Sequence, residues 1–334
     1  MLAVVVLAGL AGFGVIDASG QMPQAGEVLL LYKQSHAWME SVSMKVDIEG
    51  TATGDLDNRR TSVGFVFHRD KDKVEWRGRS ASYGLQGTID PNTYDPINDI
   101  VAGGRYISFT NPAAEVLIPA RVVQKYEKHV SRLMENSTYG GPLWGRIYGN
   151  NHKSVADLLA ESPDVHLRDQ QESIGGVLCY VLEGTNDYGR TTAWVAPDMG
   201  YSAMKWSIEK TGDDLFDDRS MSGGSTVESF DSVKLQNING VFVPIEGVFT
   251  HSGSNPEGRR YMTREYYRVS DIQLSPDFGA LGAFKVDLPN GTRVQVEEAS
   301  GVRYVWRDGQ IVPDVDGPTF EEIDKMVGEL KAQK

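Results

Sequence analysis

Apolar and polar residues alternate along much of the chain. In the segment SVSMKVDIE, which begins at Ser41, every second side chain is apolar and the charged side chains fall between them. A period of two puts the apolar set on one face of a β-strand and the charges on the other. Residues 63–67 and 74–79 repeat the pattern around a charged turn. The pattern therefore predicts an antiparallel meander with one apolar face and one solvated face.

Three segments have helical spacing instead. They lie near residues 27–40, 117–135 and 319–331, and in the second of them apolar residues recur at intervals of four and three after Pro119. We predict an amphipathic helix in each. The capping-box spacing of Ser154 and Asp157 predicts a further short helix.

From residue 165 onward the pattern predicts strands almost throughout. The predicted strands lie near residues 165–171, 177–184, 190–196, 203–210, 226–236, 241–250, 260–273, 283–288, 293–298 and 302–307. Asn239 and Gly240 are typical of a two-residue hairpin turn. Because about a dozen one-sided strands have only three helices to cover them, we expect the sheet to curl on itself.

The expected inner face of this sheet is rich in aromatic residues and methionine. Such a surface suits acyl chains, because methionine is adaptable and barrel interiors can hold apolar ligands. The alternative is that the same side chains pack a dry core. The residues expected to line an acyl cavity are Val42, Met44, Val46, Phe65, Phe67, Trp76, Met204 and Trp206.

The first twenty residues have the composition of an export signal. Residues 2–16 contain no charge, but fifteen apolar residues are fewer than the roughly 20 that a membrane-spanning helix needs. Small residues then precede Gln21, where cleavage is expected. We therefore predict a signal peptide at 1–20 and a periplasmic or otherwise extracytoplasmic protein that is not an integral membrane protein after cleavage.

Composition narrows the class of function further. The 334 residues include 33 Lys and Arg against 46 Asp and Glu, a net charge of −13 that disfavours nucleic-acid binding. The single cysteine, Cys179, excludes an internal disulfide and a cysteine-based metal site. It lies between apolar residues, so we expect a buried thiol. No linker divides the strand-rich part, which predicts one domain over 21–313 and a C-terminal helix over 314–334.

Familiar catalytic motifs are absent from the sequence. The six histidines have no metal-ligand spacing, and there is no nucleophile elbow or phosphate loop. Acidic loops at 90–99 and 213–218 do not follow the ligand order of an EF-hand, so solvated turns are the favoured interpretation over calcium sites. Strand glutamates could still form a pair for glycoside hydrolysis. These are Glu75, Glu183, Glu209, Glu228 and Glu265.

Several segments resemble the LolA-like superfamily of periplasmic lipoprotein carriers and their relatives. They are EVLLLYKQSHAWMES, SVSMKVDIEG, GVLCYVL, TTAWVAPDMGYSAMKWSIE and NGVFVPIEGVF. The resemblance implies an unclosed antiparallel half-barrel whose concave face is capped by helices and binds acyl chains. The chain departs from the carriers by its length and by added strands after Phe284, and no arginine is matched to the carriers' functional one.

Together these observations predict a mainly β (α+β) protein with a large curved antiparallel sheet and helices packed against its concave face. The expected function is that of a non-enzymatic extracytoplasmic protein, without cofactor or metal, that carries or senses lipid or lipoprotein acyl chains and can also contact membrane proteins of the envelope. Two alternatives stay open. One is a structural or regulatory envelope protein with a dry core, and the other is a hydrolase that uses paired glutamates.

Overall fold

The computed structural model describes residues 22–55, 58–71, 73–84, 95–102, 105–108, 120–124, 141–146, 149–150, 153–216, 219–286, 288–296, 303–314 and the single positions 322, 325 and 329. The predicted signal peptide at 1–20 lies outside these residues, as does most of the predicted helix at 314–334. Within that helix, Glu322, Lys325 and Glu329 are described and are helical.

Most of the described residues lie in strands. The strands of the first half are β1 (Ser41–Gly54), β2 (Arg59–Asp70), β3 (Lys73–Gly84), β4 (Asp95–Ala102), β5 (Arg105–Ser108), β6 (Ala120–Gln124), β7 (His166–Leu167), β8 (Glu172–Ile174) and β9 (Val177–Asn186). Those of the second half are β10 (Gly189–Ala196), β11 (Ser202–Thr211), β12 (Leu215–Phe216), β13 (Arg219–Ser220), β14 (Ser225–Ile238), β15 (Val241–Ser254), β16 (Arg260–Leu274), β17 (Arg293–Val296), β18 (Tyr304–Arg307) and β19 (Gln310–Pro313).

Helices are few and short. The described α-helices are α1 (Ala25–Ser35), α2 (Val155–Glu161) and α3 (Phe278–Leu281). Three 3-10 turns complete the set: Ala37–Glu40, Gly141–Trp144 and Pro197–Met199. The Ser154 hydroxyl accepts a hydrogen bond from the Asp157 backbone N–H, and the Asp157 carboxylate accepts one from the Ser154 backbone N–H. The predicted capping box therefore opens α2. The described chain thus has too little helix to cover its strands.

Seventeen of the described strands form one sheet. Pairing runs in the order β19, β18, β17, β6, β5, β4, β3, β2, β1, β16, β15, β14, β11, β10 and β9. The edge of β9 that faces away from β10 pairs with the short strands β7 and β8. Only the β17–β6 pair is parallel among the described strands. No described pairing joins the two ends, so the sheet is not closed.

The sheet bends around α1 and α2. Nine consecutive strands, from β3 to β9 in the pairing order, would span roughly 40 Å if flat, whereas two helices cover about 20 Å. A single hydrophobic cluster nevertheless joins both helices to β1–β3 at one side and β9–β11 at the other. We call the face that packs against α1 the inner face and the opposite one the outer face. The predicted curved, unclosed, mainly antiparallel sheet is confirmed.

Two sequence predictions of secondary structure are wrong. Residues 120–124, predicted within a helix, form β6, which pairs with β5 and β17. The β-branched Val122 and Val123 suit a strand, and pairing on both sides outweighs helical spacing. The strand predicted at 283–288 is also wrong, because the described residues of that segment, 283–286 and 288, are not in a strand. Asp277 caps α3, and left-handed backbone at Gly282 (φ 66°) and Phe284 (φ 59°) breaks the extended path.

Candidate functional site

All eight residues predicted to line an acyl cavity are buried, and seven of them belong to the inner-face cluster. These are Val42, Met44, Val46, Phe65, Phe67, Trp76 and Trp206. Met204 packs instead with Cys179 and Trp194 in a separate cluster on the outer face, so the thiol is buried as expected. The structure therefore brings seven of the predicted residues together and leaves Met204 out.

A β-bulge explains why Met204 and Trp206 do not share a face. In the β10–β11 pairing, Trp194 opposes Lys205 while Val195 opposes Ala203, so β11 carries one extra residue at Met204. An extra residue reverses the alternation of side chains on one side of the bulge. A strict period of two could not predict this, because a bulge is set by pairing with another strand.

The inner face meets α1 at an apolar crevice open to solvent. The end of α1 and the turns at Ala37–Glu40 and Gly141–Trp144 form one wall, and β11, β14 and β15 form the other. The lining side chains include Tyr32, Trp38, Leu143, Trp206, Phe230, Val233, Leu235, Phe242 and Pro244. Enclosed free space amounts to only about 20 Å³, room for one water molecule. The interior beneath α1 is thus filled by its own side chains.

Aromatic rings occupy that interior. Phe230 stacks on Trp206 with ring centroids 6.0 Å apart and meets Tyr267 edge-on at 5.9 Å, while Phe249 lies 6.1 Å from Trp206. We call Trp206, Phe230, Phe249 and Tyr267 the aromatic block. Such ring pairs add about 0.5–1.5 kcal/mol each beyond the area they bury. The aromatic block is therefore a stable filling for the inner face.

The rim of the crevice is polar but uncharged. Ser35 Oγ donates to the Tyr32 carbonyl at 2.7 Å, and Ser202 Oγ donates to the Phe242 carbonyl at 3.5 Å. Burial lowers the pKa of His36 to about 4, so this imidazole is neutral near pH 7. An apolar chain in this crevice would meet no formal charge from these three rim residues.

Beyond the aromatic block, the inner face becomes polar. Alternation along the same strands places Lys210 after Trp206 and Ile208 on β11, Glu228 before Phe230 on β14, and His251 after Phe249 on β15. Tyr261 and Glu265 continue the row on β16. We call Lys210, Glu228, His251, Tyr261 and Glu265 the polar end of the inner face. The inner face thus has an apolar part and a polar part along the direction of the strands.

Lys210 is fully buried and ties loops to the sheet. Its Nζ donates to the carbonyls of Gly149 at 2.7 Å and Leu215 at 2.8 Å. The same ammonium lies over the rings of Tyr188 and Phe216, at 5.3 and 5.4 Å from their centroids. Carbonyl dipoles and ring faces together stabilise the buried charge, and they close this end of the inner face.

Glu228 is buried with only part of its hydrogen-bonding capacity used. Its side chain reaches His251, with Oε1 at 3.8 Å from Nε2, and Oε2 has no hydrogen-bond partner among the described residues. Burial raises the pKa of Glu228 to about 8, against the opposing effect of Lys210. Burial and the Lys210 charge lower the pKa of His251 to about 4. At pH 7 both side chains are therefore mostly neutral.

The β16 residues extend this row of polar groups. Tyr267 donates its hydroxyl hydrogen to Glu265 Oε2 at 2.6 Å, and Tyr261 Oη lies 3.4 Å from His251 Nε2. Burial raises the pKa of Glu265 despite this hydrogen bond. The sequence identifies Glu228 and Glu265 as candidate strand glutamates, but it does not group them with the other three residues of the polar end, because the five residues lie on four strands. The sequence did contain one indication of the cluster: each member is an even number of residues from an apolar inner-face residue of its own strand, which places it on the same face.

The remaining strand glutamates do not join Glu228 and Glu265. Glu183 lies on the outer face, where Arg168 and Arg190 donate to it at 2.8 and 2.6 Å and hold its pKa at about 2. Glu209 is exposed on the same face. Glu75 is buried beneath the segment that follows α3, where it accepts hydrogen bonds from the half-exposed Arg77 and from the Phe284 backbone N–H. In the described part of the chain, no group of three or more His, Cys, Asp or Glu could hold a metal ion.

Comparison with known proteins gives matches in structure only. No family model and no curated protein matches the chain. Its structure is similar to LolA superfamily protein NE2245 from Nitrosomonas europaea, at 15% identity over 80% of this chain and 96% of that one, with a TM-score of 0.37. It is also similar to a DUF1329 family protein from Desulfovibrio piger, at 12% identity over 77% and 95%, with a TM-score of 0.38.

The first of these proteins bears the name of the superfamily that the sequence resembles. No helix among the described residues is long and apolar enough to cross a membrane.

Proposed function

We propose that this chain is an extracytoplasmic protein that binds acyl chains of lipids or lipoproteins on its inner face and carries or senses them. The observation that supports the proposal is a continuous apolar path, made of side chains, from the solvent-open crevice to the aromatic block. The proposal needs no catalysis and no cofactor. The uncharged apolar run at 2–16 supports export, and protein partners in the envelope would load or receive the ligand.

Ligand entry requires α1 to move, because the enclosed space is too small for an acyl chain. Three side chains of α1 are buried, Val28, Leu29 and Tyr32, and each contributes about 1.5–3 kcal/mol through burial. Each buried methylene of a ligand contributes about 0.8 kcal/mol. A chain of roughly ten methylenes would therefore offset the displacement of α1 from the inner face.

The structure of α1 is consistent with such a movement. The helix has eleven residues and no side-chain hydrogen bond at its N-cap, and isolated helices of that length are marginal in water. A half-exposed ion pair between Lys33 and Asp157, at 3.1 Å, connects it to α2. Exposed pairs of this kind contribute only about 0–1 kcal/mol. Packing on the inner face is therefore the main interaction that a ligand must replace.

Native mass spectrometry of the chain purified from an exported source tests the proposal. We expect copurified lipid at up to one molecule per chain, and exchange for an added long-chain fatty acid after extraction. Repeated absence of both copurified and exchangeable lipid would overturn the proposal.

Two variants on one strand separate specific binding from adsorption. Leu235→Glu puts a carboxylate into the crevice lining, where it should weaken binding at least tenfold because a charge beside an acyl chain loses solvation. Val227→Glu places the same charge on the exposed outer face of β14, where binding should be unchanged. Equal effects of the two substitutions would contradict binding in the crevice.

The filled interior also favours the second candidate, a structural or regulatory envelope protein with a dry core. In that case the aromatic block is only core packing, and the chain forms a stoichiometric complex with a protein. A pull-down that yields such a partner, together with no binding of a hydrophobic dye, would support this alternative over the acyl-binding function.

A further inference from the structure

We propose that the polar end of the inner face binds the ammonium group of an amphiphile whose acyl chain lies over the aromatic block. The inference rests on the proposed function and names the head group of its ligand. It is drawn from the row of polar side chains that continues the apolar path, which sequence patterns alone did not reveal.

Within the described ranges, one hydrogen-bonding position in the polar end is unfilled. Glu228 is 2% exposed, and its Oε2 has no partner among the described residues. Leaving a buried polar atom unpaired costs about 1–3 kcal/mol, and more for a charged group. A ligand that brings a hydrogen-bond donor to Oε2 would remove this cost. Asn150, also fully buried, has an amide without a partner among the same residues and adjoins Gly149, which Lys210 contacts.

The charges of the polar end also favour a cationic head group. Two carboxyls, Glu228 and Glu265, lie in the polar end, and the ammonium of Lys210 is directed to two backbone carbonyls and two rings. The titratable and charged groups around Glu228 are Lys210 from β11 and His251 from β15, with Tyr261 and Glu265 on β16 beyond them. Burial raises the pKa of Glu265, and the charge of Arg59, from β2, acts against this effect. A cationic donor at Oε2 would let Glu228 ionise, whereas an anionic head group would add repulsion.

Aromatic rings border the polar end. His251 lies between two rings, with centroids 6.5 Å away at Phe249 and 5.1 Å away at Tyr261. Ring faces attract ammonium groups, by about 0.5–2 kcal/mol depending on desolvation. Phe249 also belongs to the aromatic block, so the surface that would hold the acyl chain passes directly into the surface that would hold the ammonium.

The dimensions suit a single-chain amphiphile. Glu228 and Leu235 lie seven residues apart on β14, which corresponds to about 20 Å along a strand. The head group would lie at Glu228, near the loops that Lys210 holds, and the chain would extend towards the crevice at Leu235. Entry of the head group requires the loop at 149–150 to move away from Lys210.

Calorimetric titration of the lipid-free chain with two lysophospholipids tests the inference. Lysophosphatidylethanolamine and lysophosphatidylglycerol with the same acyl chain share the phosphate, but the first carries ethanolamine with its ammonium group and the second carries an uncharged glycerol. We expect the first to bind at least about tenfold more tightly, the size of one charge-assisted hydrogen bond. Ammonium binding should also release a proton at pH 7, so the measured heat should depend on the ionisation enthalpy of the buffer.

Variants on two faces provide the controls. Glu228→Gln should abolish the head-group preference and the proton release. Glu209→Gln, an exposed outer-face change, should leave both as they were. If both lipids bind equally to the unaltered chain, the head-group inference is wrong and the acyl-binding function stands. If neither binds, the proposed function itself fails.

Discussion

Phe230 fills the space that a side chain at position 247 would occupy, and this offers a sharp test of inner-face packing. A Cβ built on Gly247 would lie 2.1 Å from Cζ of Phe230 and within 2.8 Å of two further ring carbons. The backbone at Gly247 is not left-handed, so an alanine there would suffer only from the ring. The two residues therefore lie in direct contact across the β14–β15 pair.

The magnitudes follow from this contact. Phe230→Ala removes a ring that is 2% exposed, and such substitutions cost about 3–5 kcal/mol. Gly247→Ala alone overpacks the site, at about 1–3 kcal/mol. In the double variant the new methyl group enters the vacated space. We expect the double variant to be more stable than the sum of the single effects predicts, by about 1–3 kcal/mol.

Urea unfolding followed by tryptophan fluorescence measures each corner of this double-mutant cycle. The denaturant dependence should stay constant across the four proteins, so that midpoints report stability. A control cycle pairs Phe230→Ala with Gly64→Ala, since the nearest atom to a Cβ at Gly64 is an Asp47 oxygen on the outer face. The effects of Phe230→Ala and Gly64→Ala on the free energy of unfolding should add. Additivity within about 0.5 kcal/mol in the Gly247 cycle would refute the packing described for the inner face.

Three further changes test other parts of the structure. Ser154→Ala removes the capping box of α2 and should cost about 1 kcal/mol in urea unfolding; no change would mean that the cap is not formed in solution. Glu183→Gln should make the stability fall less steeply in acid. The pKa of Glu183 is lowered from 4.5 to about 2, so its carboxylate stabilises the fold fully above pH 4.5, and that contribution disappears as the pH falls through 2. Parallel acid-unfolding curves for the two proteins would contradict this. Lys210→Met leaves the Gly149 and Leu215 carbonyls without their donor and should cost about 1–3 kcal/mol, with faster amide exchange at 149–150; unchanged exchange there would show that Lys210 does not hold the loop.

Local patterns predicted those parts of the fold that depend on local geometry. Alternation from Val42 to Ile48 identified β1 and its inner face, and Asn239 with Gly240 identified the β14–β15 hairpin, where Asn239 has φ 55°. The Ser154 capping box likewise depends only on neighbours in sequence. Each of these is decided by residues within a few positions of one another, so a single chain contains the necessary information.

The wrong predictions depended on residues distant in sequence. β6 exists because β5 and β17 pair with it, and residues 283–286 turn back to contact Glu75, more than 200 positions earlier. Helical spacing at 117–135 and apolar content at 283–288 contain no trace of these contacts. Pairing across such distances is set by the assembled sheet, and one sequence does not reveal it.

The candidate site was predicted only in part, because it too depends on pairing between residues that are distant in sequence. Period-two alternation put Phe65, Phe67 and Trp206 on one inner face, but the bulge opposite Trp194 moved Met204 to the outer face. The sequence names Glu228 and Glu265 as candidate glutamates. The grouping of the polar end nevertheless escaped prediction, because Lys210, Glu228 and His251 each occur as single polar residues in different strands. Only their cross-strand register, Glu228 opposite His251 and Lys210 opposite Thr226, assembles them.

Photolabelling with a fatty acid that carries a diazirine at its chain end tests the central claim most directly, because it reports where an acyl chain lies. We expect saturable labelling, competed by unlabelled fatty acid, on the inner-face peptides of β11, β14 and β15 around Ala203, Leu235 and Phe242. Labelling confined to the outer face, around Val227 and Met262, or labelling that unlabelled fatty acid does not reduce, would contradict acyl binding beneath α1.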